Sequence, residues 1–323
     1  MMRAAVIRAL QGDAAVSEIA VPSRKQGQAL VQVQAGSLNP LDLLIASGQF
    51  YSGHPPLPYV PGCEGVGVVT EGDSLTPGMR VRFECNVLAP YGSLAPFTVV
   101  DEDAVIPVPE TVPDDMVAAL GIAGMAGWLS VQWRARLEAG ERVVVLGATG
   151  VVGQIAVQAA RLLGASRIVA VGRNPAALNL VRDFGADVVV ALEHKSIPEL
   201  GEVLKEAAGG SVDVVIDTLW GAPALASLMA MGSGGRLVNI GQSADSLMTL
   251  PSATLRGRMI SLLGYSNLFV PKTQRLDAFQ RILKHAIDGE IKVSREIIPL
   301  EKITEAWRAQ QQSPHRKLVV MTS

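Results

Sequence analysis

The sequence predicts an α/β protein with two domains, the second of which contains a doubly wound parallel sheet. Short β-branched segments interrupted by Pro and Gly fill the first part of the chain, whereas strand and helix patterns alternate after residue 115. Alternation of this kind is typical of a parallel sheet with helices on both faces. The chain has 323 residues, of which 49% are hydrophobic, and so has enough apolar material for two cores.

The composition favours a small-molecule partner and a cytoplasmic location. The net charge is −2 and the Lys and Arg residues are scattered, so we expect no basic face for nucleic acid or for an anionic membrane. Apolar stretches end before the roughly 18 residues that a membrane span needs, and residues 1–15 lack the apolar core of a signal peptide. Cys63 and Cys85 are too few for a disulfide framework, and we expect both thiols to be reduced.

The order of predicted strands and helices defines the domain limits. An antiparallel β domain is predicted from the short strands at residues 3–9, 29–35, 65–71, 80–84 and 97–100. A helix at 116–136 is followed by six strands that form the parallel sheet, at 142–146, 167–171, 188–191, 212–216, 236–240 and 259–263. Helices at 273–288 and 301–311 and a strand at 317–321 are assigned back to the first domain. The predicted domains are therefore 1–115 with 265–323, and 116–264.

A glycine-rich turn joins the strand at 142–146 to a helix at 151–163. Its residues are Gly147, Ala148, Thr149, Gly150, Val151, Val152 and Gly153. Gly150 lets the backbone approach a pyrophosphate, Gly153 lets the helix pack tightly on its strand, and the helix N-terminus directs N–H groups at the phosphates. The usual motif has glycine where this chain has Ala148. Because a second strand follows at the spacing of a βαβ unit, we predict a bound dinucleotide; a glycine-rich turn in an unrelated α/β protein is the alternative.

The residues after the second strand favour a phosphorylated dinucleotide, NADP(H). A site that prefers NAD usually carries Asp or Glu here, but this chain has Gly172, Arg173 and Asn174. The Arg173 guanidinium can bind a 2′-phosphate through two hydrogen bonds, and Gly172 leaves room for that phosphate. The alternative is that Arg173 is a solvated charge before a helix at 175–184, with Asn174 as its N-cap and Pro175 at its first position. Both interpretations are compatible.

Motifs along the whole chain support a wider resemblance. They are Asn39-Pro40-Leu41-Asp42, Gly48, Leu57-Pro58-Tyr59-Val60-Pro61-Gly62, Glu64-Gly65-Val66-Gly67-Val68-Val69, the Gly150/Gly153 turn, Gly185-Ala186-Asp187, Asp213-Val214-Val215-Ile216-Asp217, and the segment from Gly235-Arg236 to Gly241. With them the chain resembles the medium-chain dehydrogenase/reductase superfamily, in its zinc-independent quinone oxidoreductase branch. The resemblance implies a GroES-like β domain plus a Rossmann domain. It also implies NADPH-dependent hydride transfer to quinones or α,β-unsaturated carbonyl compounds.

Zinc ligands of that superfamily are replaced in this sequence. Zinc-containing members have Cys where this chain has Asn39, and Gly-His-Glu where it has Gly62, Cys63 and Glu64. Of the four histidines, only His54 lies near an expected ligand position, and the segment 83–92 has one cysteine where a structural zinc lobe needs four. We therefore predict no metal. A site made of Cys63, His54 and Glu64 is the weaker alternative.

Catalysis without a metal needs positioning and stabilisation of the developing oxyanion. Asn39 is a candidate donor of an amide N–H to a substrate carbonyl oxygen, and a helix N-cap is its alternative role. Tyr51 is the best general acid, since a phenol can hydrogen-bond an enolate and deliver a proton. Related reductases have this tyrosine one place earlier, at the position of Phe50, so Tyr51 as a half-buried packing residue is the alternative.

Further contacts to the nicotinamide are implied by the resemblance. They are expected from backbone groups of Ile240, Gly241, Gln242, Leu263, Gly264 and Tyr265. An enoyl-thioester reductase is a competing function, although the basic residues that would bind a carrier's phosphates, Arg256, Arg258 and Lys272, are dispersed. A non-catalytic NADP(H)-binding protein is another. If the strand at 259–263 is an exposed sheet edge, we expect a homodimer.

Overall fold

The computed structural model describes residues 1–193 and 195–322; His194 and Ser323 lie outside the described residues. The strands are β1 Met2–Val6, β2 Ala15–Ile19, β3 Gln28–Ser37, β4 Glu64–Glu71, β5 Arg80–Glu84, β6 Phe97–Asp101, β7 Val105–Pro107, β8 Arg142–Leu146, β9 Arg167–Gly172, β10 Val188–Ala191, β11 Val212–Asp217, β12 Met231–Asn239, β13 Ser261–Gly264, β14 Arg295–Pro299 and β15 Lys317–Met321. The helices are α1 Pro40–Ala46, α2 Asp114–Leu120, α3 Ile122–Leu129, α4 Val151–Leu162, α5 Pro175–Asp183, α6 Ile197–Ala207, α7 Gly221–Ala230, α8 Ser252–Arg256, α9 Lys272–Ile287 and α10 Ile303–Gln311.

The chain forms two compact units whose limits differ from the predicted ones. The first contains Met1–Gly121 and the chain from Val293 onwards, and the second contains Ile122–Lys292. The predicted boundary after residue 115 is too early, because α2 packs on β3 and β4 of the first unit. The predicted return at 265 is also too early. Helix α9 packs on α3, and the Asn267 side-chain amide donates a 2.8 Å hydrogen bond to the Ile122 carbonyl, which keeps this segment in the second unit.

A mostly antiparallel sheet forms the first unit; all its strand pairs are antiparallel, as predicted, except β14 with β15, which is parallel. Its strand order is β14-β15-β3-β4-β5-β7, with β6 also paired to β3, and β1 and β2 form a separate pair. The inward side chains of β3, β4 and β5, including Val31, Val69 and Phe83, are buried in one core. The last strand β15 pairs antiparallel with β3, which confirms that the tail returns to the first unit.

A six-stranded parallel sheet forms the second unit, in the order β10-β9-β8-β11-β12-β13. This confirms the predicted doubly wound fold. Alternate residues such as Leu146, Val171 and Val215 pack with α6 and α7 on one face. Right-handed crossovers place α4 and α5 on the other face. The chain changes direction between β8 and β11, and ligands of such sheets bind at that switch point, beyond the carboxyl ends of the strands.

Two predicted elements are wrong in detail. The helix predicted at 116–136 is interrupted at Gly121 and ends in a π-helical turn, Ser130–Arg134. Glycine is costly inside a helix, and here a Cβ on Gly121 would collide with the Glu64 carboxylate. The strand predicted at 259–263 begins only at Ser261, because Met259 has a φ of 53°.

No single helix within residues 1–193 and 195–322 is both long enough and apolar enough to cross a membrane; a bent pair, Asp114–Leu120 and Ile122–Arg134, meets both criteria only when its members are taken together.

Candidate dinucleotide-binding and active site

The glycine turn after β8 leads directly from the strand into helix α4. Gly147 has a φ of 76°, and the N–H groups of Gly147 and Ala148 both donate to the Val171 carbonyl, at 3.0 and 2.9 Å. Ala148 and Thr149 are buried, and helix α4 begins at Val151. The first N–H groups of a helix have no acceptor within it, so those of Val151, Val152 and Gly153 are available to an anion.

Gly153 allows the tight packing of helix α4 predicted from the sequence, whereas the approach of a pyrophosphate to Gly150 stays a prediction. A Cβ on Gly153 would lie 2.5 Å from the Ala148 Cα, so only glycine lets α4 pack this closely on its turn. A Cβ on Gly150 would have only the Gly147 carbonyl oxygen near it, at 3.5 Å. The space above Gly150 is therefore open to a ligand, whereas that beside Gly153 is filled by protein.

At the end of β9, Asn174 and Gly172 both have structural roles. The Asn174 side chain accepts hydrogen bonds from the N–H groups of Ala176 and Ala177, at 3.0 and 3.2 Å, which confirms the helix N-cap. Gly172 does not leave room for a phosphate as predicted, since a Cβ there would lie 2.8 Å from the Thr149 Cγ2. Glycine is required here because Thr149 packs against β9.

Arg173 is the exposed cation at this strand end. Its guanidinium forms no ion pair or hydrogen bond with another residue of the described ranges. A guanidinium in this state is better suited to bind an anionic ligand than one that is already engaged in an ion pair. The binding of a 2′-phosphate by Arg173 stays a prediction.

A second turn, after β11, lies beside the glycine turn. A Cβ on Gly147 would collide with the Thr218 Oγ1 and lie 3.1 Å from the Leu219 Cδ2. Asp217 is fully buried, and its Oδ1 accepts the N–H groups of Leu219 and Trp220 at 2.8 and 3.0 Å. Burial raises the pKa of the Asp217 carboxyl, and these hydrogen bonds oppose the rise. The buried Asp217 side chain thus fixes the backbone of this turn by two hydrogen bonds.

The segment after β12 also reaches this place. The Ser243 N–H donates to the Thr218 carbonyl at 3.2 Å, which brings Ile240, Gly241 and Gln242 next to the second turn. Several backbone groups predicted to contact a nicotinamide already have partners. The Ile240 N–H donates to the Asp217 carbonyl at 2.7 Å, and the Gly241 carbonyl accepts from the Asn239 amide at 2.8 Å.

In the segment after β13, backbone groups predicted to contact a nicotinamide also have hydrogen-bond partners already. The Gly264 carbonyl accepts from the Arg134 Nε at 2.8 Å, and the Tyr265 N–H donates to the Asn239 carbonyl at 2.9 Å. Leu263 pairs with Val238 within the sheet. Carbonyls of this segment can accept a further hydrogen bond, but its bonded N–H groups cannot donate one. The role of these residues at the nicotinamide stays a prediction.

In the first unit, Asn39 lies inside a buried polar network and not on an open surface. Its side-chain Nδ2 donates to Glu64 Oε1 at 3.0 Å, and its Oδ1 accepts from Lys317 Nζ at 2.5 Å. Asn39 is the N-cap residue of helix α1, as its alternative role predicted, and Asp42 Oδ2 accepts the Asn39 N–H at 2.7 Å. The predicted donation to a substrate carbonyl is therefore poorly supported, since the amide is 3% exposed and already bonded.

Two cations neutralise the Glu64 carboxylate. Lys317 Nζ lies 3.1 Å from Glu64 Oε1, and Arg82 lies 3.2 Å from Glu64 Oε2, with every side chain at most 2% exposed. Burial alone would lower the pKa of Arg82, but the Glu84 and Glu64 carboxylates raise it, so the guanidinium stays charged. Sequence reasoning missed Arg82 and Lys317. Neither has a clear local signal, because Arg82 belongs to a strand that alternates charged and apolar residues and Lys317 follows Arg316 at the start of its strand.

Tyr51 is 66% exposed, and its ring centroid lies 4.4 Å from that of Phe50. The half-buried packing role is therefore wrong. Phe50, at the position where relatives have tyrosine, is itself buried. Tyr51 is thus the solvent-exposed member of the pair.

Comparisons with known proteins agree with this arrangement. The family model described as alcohol dehydrogenase GroES-like domain matches residues 25–110, and the one described as zinc-binding dehydrogenase matches residues 151–279. Quinone oxidoreductase of Rattus norvegicus is 31% identical over 296 residues, which cover 90% of this chain and 87% of the rat protein. This chain belongs to the medium-chain dehydrogenase/reductase superfamily, in its quinone oxidoreductase-like branch.

Two further similar proteins are informative. A phenolphthiocerol/phthiocerol polyketide synthase of Mycobacterium tuberculosis is 30% identical over 309 residues, which are 93% of this chain but only 14% of the length of that synthase. The quinone oxidoreductase from Thermus thermophilus, whose structure was determined alone and with NADPH, superposes with a TM-score of 0.81. It is 28% identical and covers 99% of this chain and 100% of its own.

One matching family model is described as zinc-binding dehydrogenase, but the residues present do not fit a zinc ion. Glu64 is already neutralised by two cations, and Asn39 cannot supply a thiolate. Burial raises the pKa of the Cys63 thiol well above its usual value, which disfavours the thiolate that a metal needs. His54 Nδ1 is hydrogen-bonded to the Pro55 carbonyl at 2.8 Å. In the described part of the chain, no three His, Cys, Asp or Glu side chains form a metal-binding group.

A pocket in the first unit was not foreseen from the sequence. It is lined by Asp42, Tyr59, Cys63 and Cys85 among others, and both thiols are buried. Burial raises the pKa of Cys85 to about 12 and also raises that of Asp42. The buried Tyr59 hydroxyl has no hydrogen-bond partner among residues 1–193 and 195–322. Both thiols are therefore protonated near neutral pH.

Proposed function

We propose that this protein is an NADPH-dependent oxidoreductase that reduces quinones or α,β-unsaturated carbonyl compounds by hydride transfer without zinc. The observation that carries the proposal is the glycine turn at the switch point of the sheet, with Arg173 exposed at the end of the neighbouring strand. The quinone oxidoreductase relatives, one of them studied with NADPH, support the same reaction class.

The residues that would hold the cofactor are those of the glycine turn and the two strand ends beside it. The turn's open N–H groups would bind the pyrophosphate, and Arg173 would bind the 2′-phosphate. A reduced nicotinamide supplies a hydride for an electrophilic carbon.

Electrophilic substrates suit a site in which a phenol is the candidate acid. A quinone or enone gains negative charge on oxygen when its carbon is reduced, and that oxygen then needs a proton. Tyr51, whose side chain is exposed, would donate it. Oxidation of an unactivated alcohol would instead need a strong Lewis acid, and the residues around Glu64 do not fit zinc.

An enoyl-thioester reductase is the second candidate, because the chain matches 14% of the length of a polyketide synthase. The proposed carrier patch receives little support. Arg258 donates to the carbonyls of Leu228, Met229 and Met231, and the Arg256 Nε to the Ser252 hydroxyl at 3.1 Å. Those guanidinium groups are largely committed within the fold. A non-catalytic NADP(H)-binding protein is the third candidate.

The deciding experiment measures initial rates of NADPH oxidation, with NADH as control, over ortho- and para-quinones, simple enones and enoyl thioesters. Turnover of quinones or enones supports the proposal. Turnover of thioesters alone selects the second candidate, and tight NADPH binding without any turnover selects the third.

We also propose a cytoplasmic homodimer without nucleic-acid or membrane partners. Strand β13 is at the edge of its sheet. Apolar side chains are exposed on or near it: Met259 at 74%, Leu262 at 36% and Phe269 at 77%. An edge of this kind invites pairing with a second copy.

A further inference from the structure

Trp220 has a backbone conformation that residues other than glycine almost never adopt. Its φ is 61° and its ψ is −166°. This region is nearly exclusive to glycine, and a residue held there is under strain. Strained residues of this kind cluster at ligand-binding and catalytic positions, where the rest of the structure maintains them.

The surrounding contacts fix the strained turn. The buried Asp217 carboxylate accepts the Trp220 N–H at 3.0 Å, and its other oxygen accepts the Asn239 amide at 3.0 Å. Gly221 follows with a φ of 62° and begins helix α7. Loop residues close the turn from the other side, since the Ala244 N–H donates to the Leu219 carbonyl at 2.9 Å. The backbone of Trp220 is therefore held by hydrogen bonds from both sides of the turn.

This turn lies at the switch point of the sheet. Thr218 and Leu219, just before Trp220, are the residues that approach Gly147. Helix α4 leaves the glycine turn towards one face of the sheet, and α7 leaves Trp220 towards the other. The turn that carries Trp220 and the glycine turn therefore both border the place where a dinucleotide would lie.

The indole is only partly buried. It packs against the core cluster of β8, β9, β11, α6 and α7 and retains solvent-accessible surface. A large planar ring anchored on a core and open on another side can stack on a nucleotide ring or a ribose.

We propose that the Trp220 indole forms a wall of the dinucleotide site and contacts the bound cofactor. The inference rests on the dinucleotide site proposed above and adds a binding residue to it. It explains why a conformation that suits glycine is occupied by the largest side chain.

Calorimetric titration with NADPH tests the assignment. Trp220→Gly keeps the turn, because glycine adopts this conformation freely, but removes the ring; we expect the Kd for NADPH to rise about tenfold. Trp220→Phe keeps an aromatic ring, and we expect a change within about twofold. Trp133→Phe, which alters a partly buried tryptophan of the same unit away from the turn, should leave the Kd unchanged.

A second readout protects the test against misfolding of the glycine variant. We expect NADPH to quench tryptophan emission on binding, and Trp220→Phe should remove the largest share of that quenching, whereas Trp133→Phe should not. Wild-type affinity in folded Trp220→Gly, or undiminished quenching in Trp220→Phe, would overturn the inference and leave the dinucleotide site intact. Failure of the wild-type protein to bind NADPH would instead refute the site itself, and Trp220 with it.

Discussion

The Lys317 ammonium nitrogen lies 3.1 Å from Glu64 Oε1, and both side chains are at most 2% exposed. The same nitrogen lies 2.5 Å from Asn39 Oδ1. The last strand of the chain thus supplies the cation for a carboxylate at the start of β4. Arg82 supplies the second cation, so the buried cluster needs no metal to neutralise Glu64.

Removing Lys317 should destabilise the first unit strongly. Lys317→Met leaves part of a buried carboxylate uncompensated, and we expect the free energy of unfolding to fall by about 3 kcal/mol. The double variant Lys317→Met/Glu64→Gln should recover part of that loss, because the orphaned charge is also removed. Urea denaturation measures both. The control is Arg316→Ala, which breaks an exposed pair with Glu296 and should cost under about 1 kcal/mol.

Tyr51→Phe tests the proton donor. We expect turnover to fall about a hundredfold with the Kd for NADPH unchanged, because the phenol acts on the substrate oxygen and not on the cofactor. Tyr91→Phe, a partly buried tyrosine of the same unit, serves as the matched control in steady-state kinetics. Unchanged turnover in Tyr51→Phe would remove Tyr51 from the mechanism.

Gly150 and Gly153 should respond differently to alanine. Gly150→Ala has space and a φ of −75°, so we expect an unchanged melting temperature but NADPH binding weakened more than about tenfold, since the new Cβ faces the phosphates. Gly153→Ala forces α4 away from Ala148 and should lower the melting temperature by several degrees. Calorimetry and thermal unfolding check the pair. Equal behaviour of the two variants would refute their separate roles.

Light scattering tests the proposed homodimer. The wild-type protein should have twice the mass of one chain, and Leu262→Lys should shift it towards the monomer, because a charge at a sheet edge opposes pairing. Leu247→Lys changes a side chain that is 78% exposed and lies outside β13, and should leave the mass unchanged. A monomeric wild type would exclude the dimer.

Much of the fold was predictable because its signals are local. Strands 80–84, 142–146, 188–191 and 317–321 coincide with the observed ones, since apolar β-branched runs bounded by Gly, Pro or charge determine them. The domain limits were not predictable, because the packing of α9 on α3 is a long-range contact. The break at Gly121 depends on Glu64, far away in sequence.

The parts of the site that consist of a single turn were predictable from the sequence. The parts in which distant segments of the chain meet were not. The glycine turn and the Asn174 cap follow from consecutive residues. Asn39 was expected to face a substrate, but Lys317, 278 positions later, occupies its carbonyl oxygen. The strain at Trp220 could not be predicted either, since it depends on hydrogen bonds to Asp217 and Asn239.

If Arg173 binds the 2′-phosphate, the ratio of the Kd values for NADH and NADPH, measured by calorimetry, should depend on its guanidinium. We expect wild type to prefer NADPH by about tenfold or more, in keeping with a charge-assisted hydrogen bond to phosphate. In Arg173→Ala the preference should collapse towards one through loss of NADPH affinity alone, while Arg182→Ala, an exposed arginine on α5, should keep it. Equal loss of affinity for both cofactors, or a wild type that prefers NADH, would contradict the account.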